Sequence, residues 1–375
     1  MEKIPVFAPY IDKDTLAHVE KIFKIGWLGL GSATKEFEER ISKFLNLKDR
    51  YVLCTNTGTS ALHISLLSAD IGPGDEVITP SFNYVADHHA IRMTGAEVVM
   101  CDIKENNLGI DCKKAEELIS EKTKAIIPLH FAGIPCDIDE VNSMAKKYDL
   151  RVIEDAMHGF GTKINNKKIG SLGDITCFSF DPVKIVTSID GGCIIVNTKE
   201  ELENLQRLRL LGVDKDTTLR YKNNRAWDYD VISEGYRYHM NSVSAGIGIS
   251  QIKRVKEFIE TRQEVCQQYN LAFSNIPGIT LTCDNFSNIS PFIYTIRILD
   301  NKREKLIQHL KNLGIDVGIH FIPVHKHKFF INSKHGDMTV TEKVVDQIVT
   351  LPLHSHMKKE YVRRVIDGIT SFYSS

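Results

Sequence analysis

Short apolar runs alternate with segments of helical periodicity between residues 51 and 200, and this alternation restricts the possible folds most. Seven runs are predicted as strands, at 51–54, 76–79, 98–102, 125–130, 151–154, 175–180 and 193–197. Helices are predicted between most of them, at 59–67, 84–93, 111–119 and 138–148. Strands that alternate with helices form a largely parallel sheet between layers of helices. The pattern therefore predicts an α/β fold with ligands at the carboxyl ends of the strands.

Two amphipathic helices are predicted before this region, the first of them capped by Asp12 or Asp14. Their apolar faces hold Leu16, Val19, Ile22 and Phe23 in the first helix, and Phe37, Ile41 and Phe44 in the second. The glycine-rich segment at 26–32 separates them. It lacks the preceding strand and the third glycine of a dinucleotide-binding loop, so we predict an active-site loop that contacts substrate through Trp27.

The sequence changes character after about residue 200. A polar stretch at 214–230 is predicted as an exposed loop, and residues 240–273 as one long helix or two joined helices. The remainder is predicted to form strands at 292–299 and 317–322 and helices at 302–313 and 358–372. We therefore predict a large α/β domain over residues 1–240, including the N-terminal helices, and a smaller C-terminal α+β domain over residues 241–375.

The overall charge argues against several classes of partner. The 375 residues carry a net charge of -1, and the pI is about 6.9, so no global positive field attracts nucleic acid or anionic lipid. No apolar run approaches the roughly 18 residues of a membrane span, and the N-terminal residues lack a signal-peptide core. We predict a cytoplasmic protein that binds neither nucleic acid nor membrane.

The cysteines and histidines do not match a metal-binding pattern. The eight cysteines contain no C-x-x-C pair and mostly lie in apolar runs, so we expect reduced, buried thiols. The histidines at 320, 325, 327 and 335 lack the spacing of a zinc motif. We therefore predict no metal, and we assign substrate contact to His320 or His325.

A helix start, an acid and a lysine follow three of the predicted strands. Gly58-Thr59-Ser60 begins a helix, where backbone N–H groups and two hydroxyls can bind an anion. Asp155 ends an apolar strand, where a buried carboxylate requires a cationic partner. Lys184 lies in a turn between two apolar strands, where burial lowers a lysine pKa toward nucleophilic use. Each residue alone has an ordinary structural interpretation, but together they predict a pyridoxal phosphate site with Lys184 as the Schiff-base lysine.

Two further residues lie close to these strand ends. Tyr84 follows the predicted strand at 76–79 and can stack on a flat cofactor ring, whereas Phe82 beside it is expected in the core. His158 lies three residues after Asp155 and can contact the ring hydroxyl of the cofactor. An isolated histidine in such a position is more often structural.

Several motifs, in this order, resemble those of the DegT-type nucleotide-sugar aminotransferases. They are Gly58-Thr59-x-Ala61-Leu62, the segment 72–82 with the sequence GPGDEVITPSF, Glu154-Asp155-Ala156-Met157-His158, Gly173-Asp174-Ile175-x-Cys177-Phe178-Ser179-Phe180, Lys184 and Asp190-Gly191-Gly192. The resemblance extends from about residue 4 to residue 361. It implies a fold-type I pyridoxal-phosphate-dependent transferase that acts on keto sugars carrying a nucleoside diphosphate.

The resemblance also implies roles for single residues. Lys184 would bind the cofactor and act as the general acid and base, and Asp155 would hold the pyridine nitrogen. Further cofactor contacts are assigned to Gly58, Thr59, Ser60, Tyr84, His158 and Ser179. Substrate contacts are assigned to Trp27, Asp181, His239, His320 and His325.

The segment from Gly235 to Asn241 resembles a family pattern, Gly-x-Asn-(Tyr/Phe)-Arg-Met, whose asparagine reaches the phosphate in the partner subunit. Here Arg237 stands at the asparagine position and His239 at the arginine position. The phosphate contact is therefore assigned to Arg237 or Asn241. Asp87-His88-His89 stands where small residues are common, which makes this helix a candidate for an unusual sugar contact.

These observations predict a homodimeric aminotransferase with active sites shared between the subunits. Glutamate is the expected amino donor, the cofactor alternates between its pyridoxal and pyridoxamine forms, and a nucleotide-linked keto sugar is the acceptor. The predicted position is C4 of a 4-keto-6-deoxyhexose, for deoxyamino sugars such as those of lipopolysaccharide O-antigen. The alternatives are amination at C3, a pyridoxal-dependent sugar dehydratase, and a non-catalytic sensor of the same fold. Lys184 favours transamination, since a related branch of dehydratases has histidine there.

Overall fold

The computed structural model describes residues 2–214 and 229–374. The loop predicted at 214–230 lies, apart from its ends, outside the described residues. The strands are β1 Tyr51–Thr55, β2 Glu76–Pro80, β3 Glu97–Cys101, β4 Thr123–Ile126, β5 Arg151–Asp155, β6 Lys163–Ile164, β7 Lys167–Lys168, β8 Ile175–Ser179, β9 Gly192–Val196, β10 Ile279–Leu281, β11 Tyr294–Ile298, β12 Lys334–His335 and β13 Ile348–Leu351.

The helices alternate with the strands through the first two thirds of the chain. They are α1 Lys13–Ile25, α2 Ser32–Leu45, α3 Gly58–Ser68, α4 Ala86–Met93, α5 Cys112–Glu116, α6 Ile138–Tyr148, α7 Lys199–Arg209, α8 Ser242–Lys253, α9 Val255–Phe273, α10 Arg303–Asn312, α11 Thr339–Gln347 and α12 Lys359–Ser374. Short 3-10 turns lie at Phe131–Gly133 and Val324–Lys326. The region predicted at 240–273 is two joined helices, separated at Arg254.

One eight-stranded sheet runs in the order β1-β9-β8-β5-β4-β2-β3-β12. All neighbouring pairs are parallel except the two pairs that β9 makes with β1 and β8. Because β1 and β8 flank the antiparallel strand, Gly192 at the start of β9 lies opposite both Thr55 and Ser179. This register brings the carboxyl ends of β1 and β8 to the same edge of the sheet, beside the end of β5 at Asp155. The predicted α/β fold is confirmed.

Helix α3 follows β1 directly and begins near this edge of the sheet. Thr57 caps it: the Thr57 hydroxyl accepts from Ser60 N–H at 3.0 Å, and Ser60 Oγ accepts from Thr57 N–H at 3.1 Å. All residues from Ser60 to Leu66 are buried, as expected of a helix packed between a sheet and further helices. The capping box therefore fixes the helix N-terminus over the end of the sheet.

A second, antiparallel sheet in the order β10-β11-β13 forms the C-terminal part of the structure with α9, α10 and α12. The strand predicted at 317–322 is not formed. In this segment, Gly318 makes an isolated bridge to Thr350, and the segment otherwise runs as loop. Helix α8 packs against α1 and α2. The division of the chain near residue 240 stays a prediction.

Helix α1 begins after Asp12, whose carboxylate accepts from Thr15 N–H at 2.8 Å and so caps the helix. The apolar face predicted for it is only partly correct. Ile22 is buried, but the side chains of Leu16 and Phe23 are 64% and 58% exposed. No helix in residues 2–214 and 229–374 is long and apolar enough to cross a membrane.

Candidate active site

A pocket of about 400 Å³ lies at the sheet edge where β1, β5 and β8 end. Its walls come from the residues that directly follow these strands and β2, together with parts of the C-terminal half of the chain. Nine of the predicted site residues line it: Gly58, Thr59, Tyr84, Asp155, His158, Ser179, Asp181, Lys184 and His320. The fold therefore gathers residues as far apart in the sequence as Phe7 and Phe321 into one cavity.

Lys184 lies in a tight turn after β8. Lys184 N–H donates to the carbonyl of Asp181 at 3.0 Å, and the Asp181 carboxylate accepts from Val183 N–H at 3.0 Å. The lysine amine lies 4.1 Å from the centroid of the Phe292 ring. Burial lowers the pKa of this amine to about 8, against the opposing attraction of the Asp155 and Asp181 carboxylates. With this pKa about a tenth of the amine is unprotonated at pH 7, far more than for an exposed lysine, so Lys184 can act as a nucleophile and a proton carrier.

Two acids, Glu154 and Asp155, are adjacent at the end of β5, but their side chains lie on opposite faces of the sheet. Successive side chains of a strand point to opposite faces, so Glu154 pairs with His130 at 2.9 Å while Asp155 lines the pocket. The Asp155 carboxylate is 3% exposed and accepts from Met157 N–H at 2.9 Å and from Asn83 Nδ2 at 3.0 Å. No cation pairs with it among the described residues, so it is available to a cationic ligand.

The N-terminus of α3 forms a cradle without side chains at Gly58. A Cβ atom on Gly58 would lie 2.9 Å from Met157 Sδ and 3.1 Å from Ser179 Cβ, which is too close for any other residue without movement. The first N–H groups of a helix have no partner within the helix, and they point toward this space with the positive end of the helix dipole. The cradle therefore suits an anionic group, with Thr59 and Ser179 on its walls.

His158 is held in an aromatic wall of the pocket. Its ring stacks on Phe292, with centroids 4.4 Å apart, and on Phe321, with centroids 5.9 Å apart. Nδ1 accepts from Ala132 N–H at 3.3 Å, so the proton of the neutral ring lies on Nε2, which can donate. Burial, with the nearby charges of Lys184 and His320, holds the pKa of His158 well below its usual range.

His320 lies on the same wall, with Nδ1 at 2.9 Å from Thr350 Oγ1 and its ring against Phe7. Burial, and the positive charge of Lys184, lower the pKa of His320 to about 4. Two neutral histidines and one lysine of lowered pKa therefore share the pocket with the Asp155 carboxylate. This combination can hold a flat cationic ring and transfer a proton at Lys184.

The comparisons with known proteins agree with this geometry. The sequence profile of the DegT/DnrJ/EryC1/StrS aminotransferase family matches residues 9–370. The chain belongs to this family.

Two relatives are similar over nearly their whole length. The chain is 35% identical to the uncharacterized protein MJ1066 of Methanocaldococcus jannaschii, over 99% of the chain and 98% of the relative. It is 33% identical to the spore coat polysaccharide biosynthesis protein SpsC of Bacillus subtilis, over 98% of the chain and 96% of the relative.

A solved structure of the same fold is that of the putative sugar aminotransferase Spr1654 of Streptococcus pneumoniae. In its PMP form it matches with a TM-score of 0.93 at 28% identity, over 99% of each chain. The PLP form of the same protein matches with a TM-score of 0.92 at 27% identity, over 100% of this chain and 99% of that chain. The predictions of the family, of the fold-type I architecture and of an aminotransferase are confirmed.

Six predicted site residues of this DegT-type aminotransferase chain do not line the pocket in the described part of the structure. They are Trp27, Ser60, Arg237, His239, Asn241 and His325. Ser60 is used in the helix cap, and its hydroxyl also donates to Asn56 Oδ1 at 2.7 Å. Asn241 caps α8, accepting from Ser244 N–H at 2.8 Å. These bonds explain both side chains structurally, so their predicted contacts with the cofactor stay predictions.

The other four residues also lie outside the pocket wall, each in a different environment. Trp27 Nε1 donates to the carbonyl of Leu30 at 2.8 Å. Arg237 is exposed, and His239 lies beside β1 with its Nδ1 buried and without a hydrogen-bond partner in the described residues. His325 is buried behind the wall, 2.7 Å from Ser81 Oγ. No group of three or more His, Cys, Asp or Glu residues within the described ranges is arranged to hold a metal ion.

Several pocket residues were not predicted from the sequence. Asn83 had a usable signal, because a polar side chain directly after a strand end lies at the ligand edge of a parallel sheet. Phe292 and Phe321 had none, because they come from loops more than 100 residues after Lys184 and read as ordinary core residues. Their positions follow from the packing of the C-terminal part against the large sheet.

Proposed function

We propose that this protein is a pyridoxal-phosphate-dependent aminotransferase that moves the amino group of glutamate to a nucleotide-linked keto-deoxy sugar, at C4 of a 4-keto-6-deoxyhexose. The observation that carries the proposal is the amine of Lys184, whose pKa is lowered by burial and which shares one pocket with the Asp155 carboxylate and the cradle at Gly58. Sugar aminotransferase is the description of Spr1654, and polysaccharide biosynthesis that of SpsC. A cytoplasmic location and a role in O-antigen or other surface glycans belong to the same proposal.

The residues of the pocket fit pyridoxal phosphate at each end. The N-terminus of α3 with Thr59 and Ser179 would hold the phosphate, Asp155 would hold the pyridine nitrogen, and the Nε2–H of His158 would donate to the ring hydroxyl. When bound, the cofactor supplies a ring that takes up the negative charge left when a proton is removed from the amino acid.

Lys184 has two tasks in this proposal. Its amine would hold the cofactor, and the freed amine would take a proton from the donor's Cα and give it back later in the reaction. The amine makes no hydrogen bond or ion pair in the described residues, so it is free to move between these positions. Asp155 would face the pyridine nitrogen, and the aromatic wall of Phe292 and Phe321 would exclude water from the same space.

The proposal includes a homodimer with shared active sites. A pair of exposed apolar side chains on α1, Leu16 and Phe23, continues into the exposed side chains of Ile25, Trp27 and Leu28. Several exposed apolar side chains within one short segment are a common feature of protein interfaces. Arg237, which is exposed and outside the pocket of its own chain, is then the proposed contact to the phosphate in the partner subunit, with Asn241 as the alternative. Light scattering of the purified protein tests the dimer.

The coupling of pyridoxal phosphate to the cofactor-free enzyme is expected to become faster as the pH rises toward 8 and then to level off. Only the unprotonated amine attacks, and burial lowers the pKa of Lys184 to about 8. Below this value the rate should fall by about tenfold per pH unit, whereas an exposed lysine with a pKa of about 10.4 would show no plateau below pH 10. Stopped-flow absorbance over a pH series measures the midpoint. A midpoint above about 10 would contradict a buried nucleophile at Lys184.

Gly58→Val is expected to weaken pyridoxal phosphate binding by about tenfold or more, since overpacking costs about 1–3 kcal/mol. The new side chain would enter the space beside Met157 and Ser179 where the phosphate is placed. Gly72→Val is the matched control, because a Cβ there meets no atom within 4 Å. Fluorescence titration gives both dissociation constants. Equal constants for the two variants would place the phosphate elsewhere.

Two reactions test the proposed substrates. Holoenzyme mixed with glutamate alone should lose its cofactor absorbance band and release one equivalent of 2-oxoglutarate per site, whereas an unchanged spectrum would support the sensor. With ¹⁵N-glutamate and a panel of dTDP-, GDP- and UDP-linked keto sugars, product NMR should show nitrogen at C4 of one sugar. Nitrogen at C3 would favour the alternative acceptor, and a deoxygenated product without nitrogen would favour the dehydratase.

A further inference from the structure

Asp87 is a buried carboxyl group of the pocket, on the helix that the sequence made a candidate for a sugar contact, and the cofactor roles proposed above do not use it. It lies in the first turn of α4 and is 1% exposed. Its Oδ2 accepts a hydrogen bond from Asn83 Nδ2 at 2.7 Å, and the same nitrogen donates to Asp155 Oδ2 at 3.0 Å. One side-chain amide therefore joins Asp87 to the carboxylate that we place against the pyridine nitrogen.

A third contact fixes the orientation of this amide. Asn83 Oδ1 accepts from Tyr84 N–H at 2.6 Å. Because the oxygen of an amide accepts and its nitrogen donates, the two N–H bonds of Nδ2 are left for the two carboxyl groups. In the structure, the Asn83 amide group therefore makes its hydrogen bonds with Tyr84, Asp87 and Asp155. Without Asp87, one N–H would lose its acceptor and the amide would be held by two contacts instead of three.

The two carboxyl groups do not carry equal charge. Burial raises the pKa of Asp87 well above its usual range, and the negative charge of Asp155 and a hydrogen bond between the two side chains raise it further. Oδ1 of Asp87 is buried without a hydrogen-bond partner in the described residues, which is less costly for a neutral carboxyl than for a carboxylate. The other titratable groups around it stay neutral: burial raises the pKa of the Cys177 thiol on β8 and lowers the pKa of His88, beside it on α4, to about 3.

We propose that Asp87 is a positioning residue of the active site: it holds Asn83 and through it fixes the Asp155 carboxylate against the pyridine nitrogen of the cofactor. The proposal rests on the function proposed above, in which Asp155 pairs with that nitrogen. A neutral Asp87 accepts from Asn83 without competing for the positive charge of the ring. The full charge of Asp155 is then left for the cofactor.

The test compares wild type, Asp87→Ala and Asp87→Asn, with Asp102→Asn as the control. Asp102 is equally buried, but it accepts from Val340 N–H, Thr341 N–H and Thr341 Oγ1 at the start of α11, outside the pocket. Each protein is saturated with pyridoxal phosphate, and two quantities are measured: the dissociation constant of the cofactor and the pH midpoint of its absorbance change.

Asp87→Ala is expected to weaken cofactor binding by about tenfold and to move the absorbance midpoint by about one pH unit, the effect of one lost hydrogen bond in a charged network. Asp87→Asn should keep both values close to wild type, because its amide oxygen accepts from Asn83 without a charge. Asp102→Asn should leave both values unchanged. Wild-type values in Asp87→Ala would overturn the proposal, and so would equal losses in Asp87→Asn and Asp87→Ala. A wild-type enzyme without a titrating band would overturn the proposed function as well.

A second measurement compares wild type only with Asp87→Asn, whose side chain has nearly the same shape, and it needs no cofactor. Because the pKa of Asp87 is raised in the folded protein, wild type binds an extra proton when folded and loses stability as the pH rises above about 4. Asp87→Asn has no such proton. Over the range above about pH 4, the melting temperature of the cofactor-free variant should therefore gain on that of wild type as the pH rises. A difference that stays constant over this range would overturn the proposal.

Discussion

Lys184→Ala is expected to keep the fold and to lose at least about 10²- to 10⁴-fold in turnover, the usual contribution of one positioned acid–base group. The variant lacks the amine that binds the cofactor and carries the proton. Its fold should persist because that amine contacts the Phe292 ring but makes no hydrogen bond or ion pair in the described residues. Steady-state kinetics and a melting curve measure the two effects separately.

Lys168→Ala is the matched control for this loss. The Lys168 amine also lies over an aromatic ring, 4.4 Å from the centroid of Phe44, and burial also lowers its pKa. It does not line the pocket. We expect turnover near the wild-type value for Lys168→Ala. If Lys184→Ala kept that turnover too, another group would have to be the proton carrier.

Asp155→Asn is expected to lower turnover by about 10²- to 10³-fold, the range found for removing one preorganised electrostatic group. The new side chain keeps an oxygen for Met157 N–H, but it turns an NH₂ group toward that of Asn83 and has no charge for the pyridine nitrogen. Because this opposes two buried donors, a lower melting temperature is also expected, so turnover is expressed per folded enzyme. Turnover and the cofactor dissociation constant are the quantities to measure.

Glu154→Gln separates this effect from the loss of a buried acid in general. Glu154 is the neighbour of Asp155 in β5 but points to the other face, where it pairs with His130 and accepts from Thr176 Oγ1 at 3.3 Å. Its substitution should lower the melting temperature, since weakening a buried pair is costly, and leave turnover per folded enzyme largely intact. If Glu154→Gln were inactive and Asp155→Asn active, Glu154 and not Asp155 would be the carboxylate that pairs with the pyridine nitrogen.

The central residues of the site were predictable because each follows a strand of a parallel sheet. Gly58, Asp155 and Lys184 are far apart in the sequence. The apolar pattern of a buried strand nevertheless shows where the strand ends, and the carboxyl ends of parallel strands meet at one edge of the sheet. The choice between Glu154 and Asp155 also has a physical basis in the alternation of strand side chains. The chemistry of a cationic ring then follows from a carboxylate without a partner.

Residues placed by tertiary packing were harder to predict. His325 and Ser60 have the right chemistry for a site, but a neighbouring side chain uses each of them: Ser81 for His325 and Asn56 for Ser60. No local pattern reports the partner of His325, which is 244 positions away, whereas the partners of Ser60 lie within one helical turn. Phe292 was predicted only as part of a strand, and its place over Lys184 depends on the docking of the C-terminal part. The prediction of a strand at 317–322 was wrong for a similar reason. In the described structure this segment makes only an isolated bridge, between Gly318 and Thr350.

The apolar pattern of α1 shows a further limit of periodicity. Its spacing identifies a helix with an apolar face, yet Leu16 and Phe23 are exposed in the single chain. Apolar residues at helical spacing indicate that one face of the helix is buried. The pattern is the same whether that face packs in the core or against a second copy of the chain. The proposed dimer is consistent with this reading.

The most direct test of the central claim is to locate the residue that carries the cofactor. Holoenzyme is treated with borohydride, which makes the bond between the lysine and pyridoxal phosphate permanent, and its peptides are analysed by mass spectrometry. We expect the modification on the peptide that contains Lys184, at about one equivalent per chain, and its absence from Lys184→Ala. Modification of a different lysine, or of none in protein saturated with pyridoxal phosphate, would contradict the account.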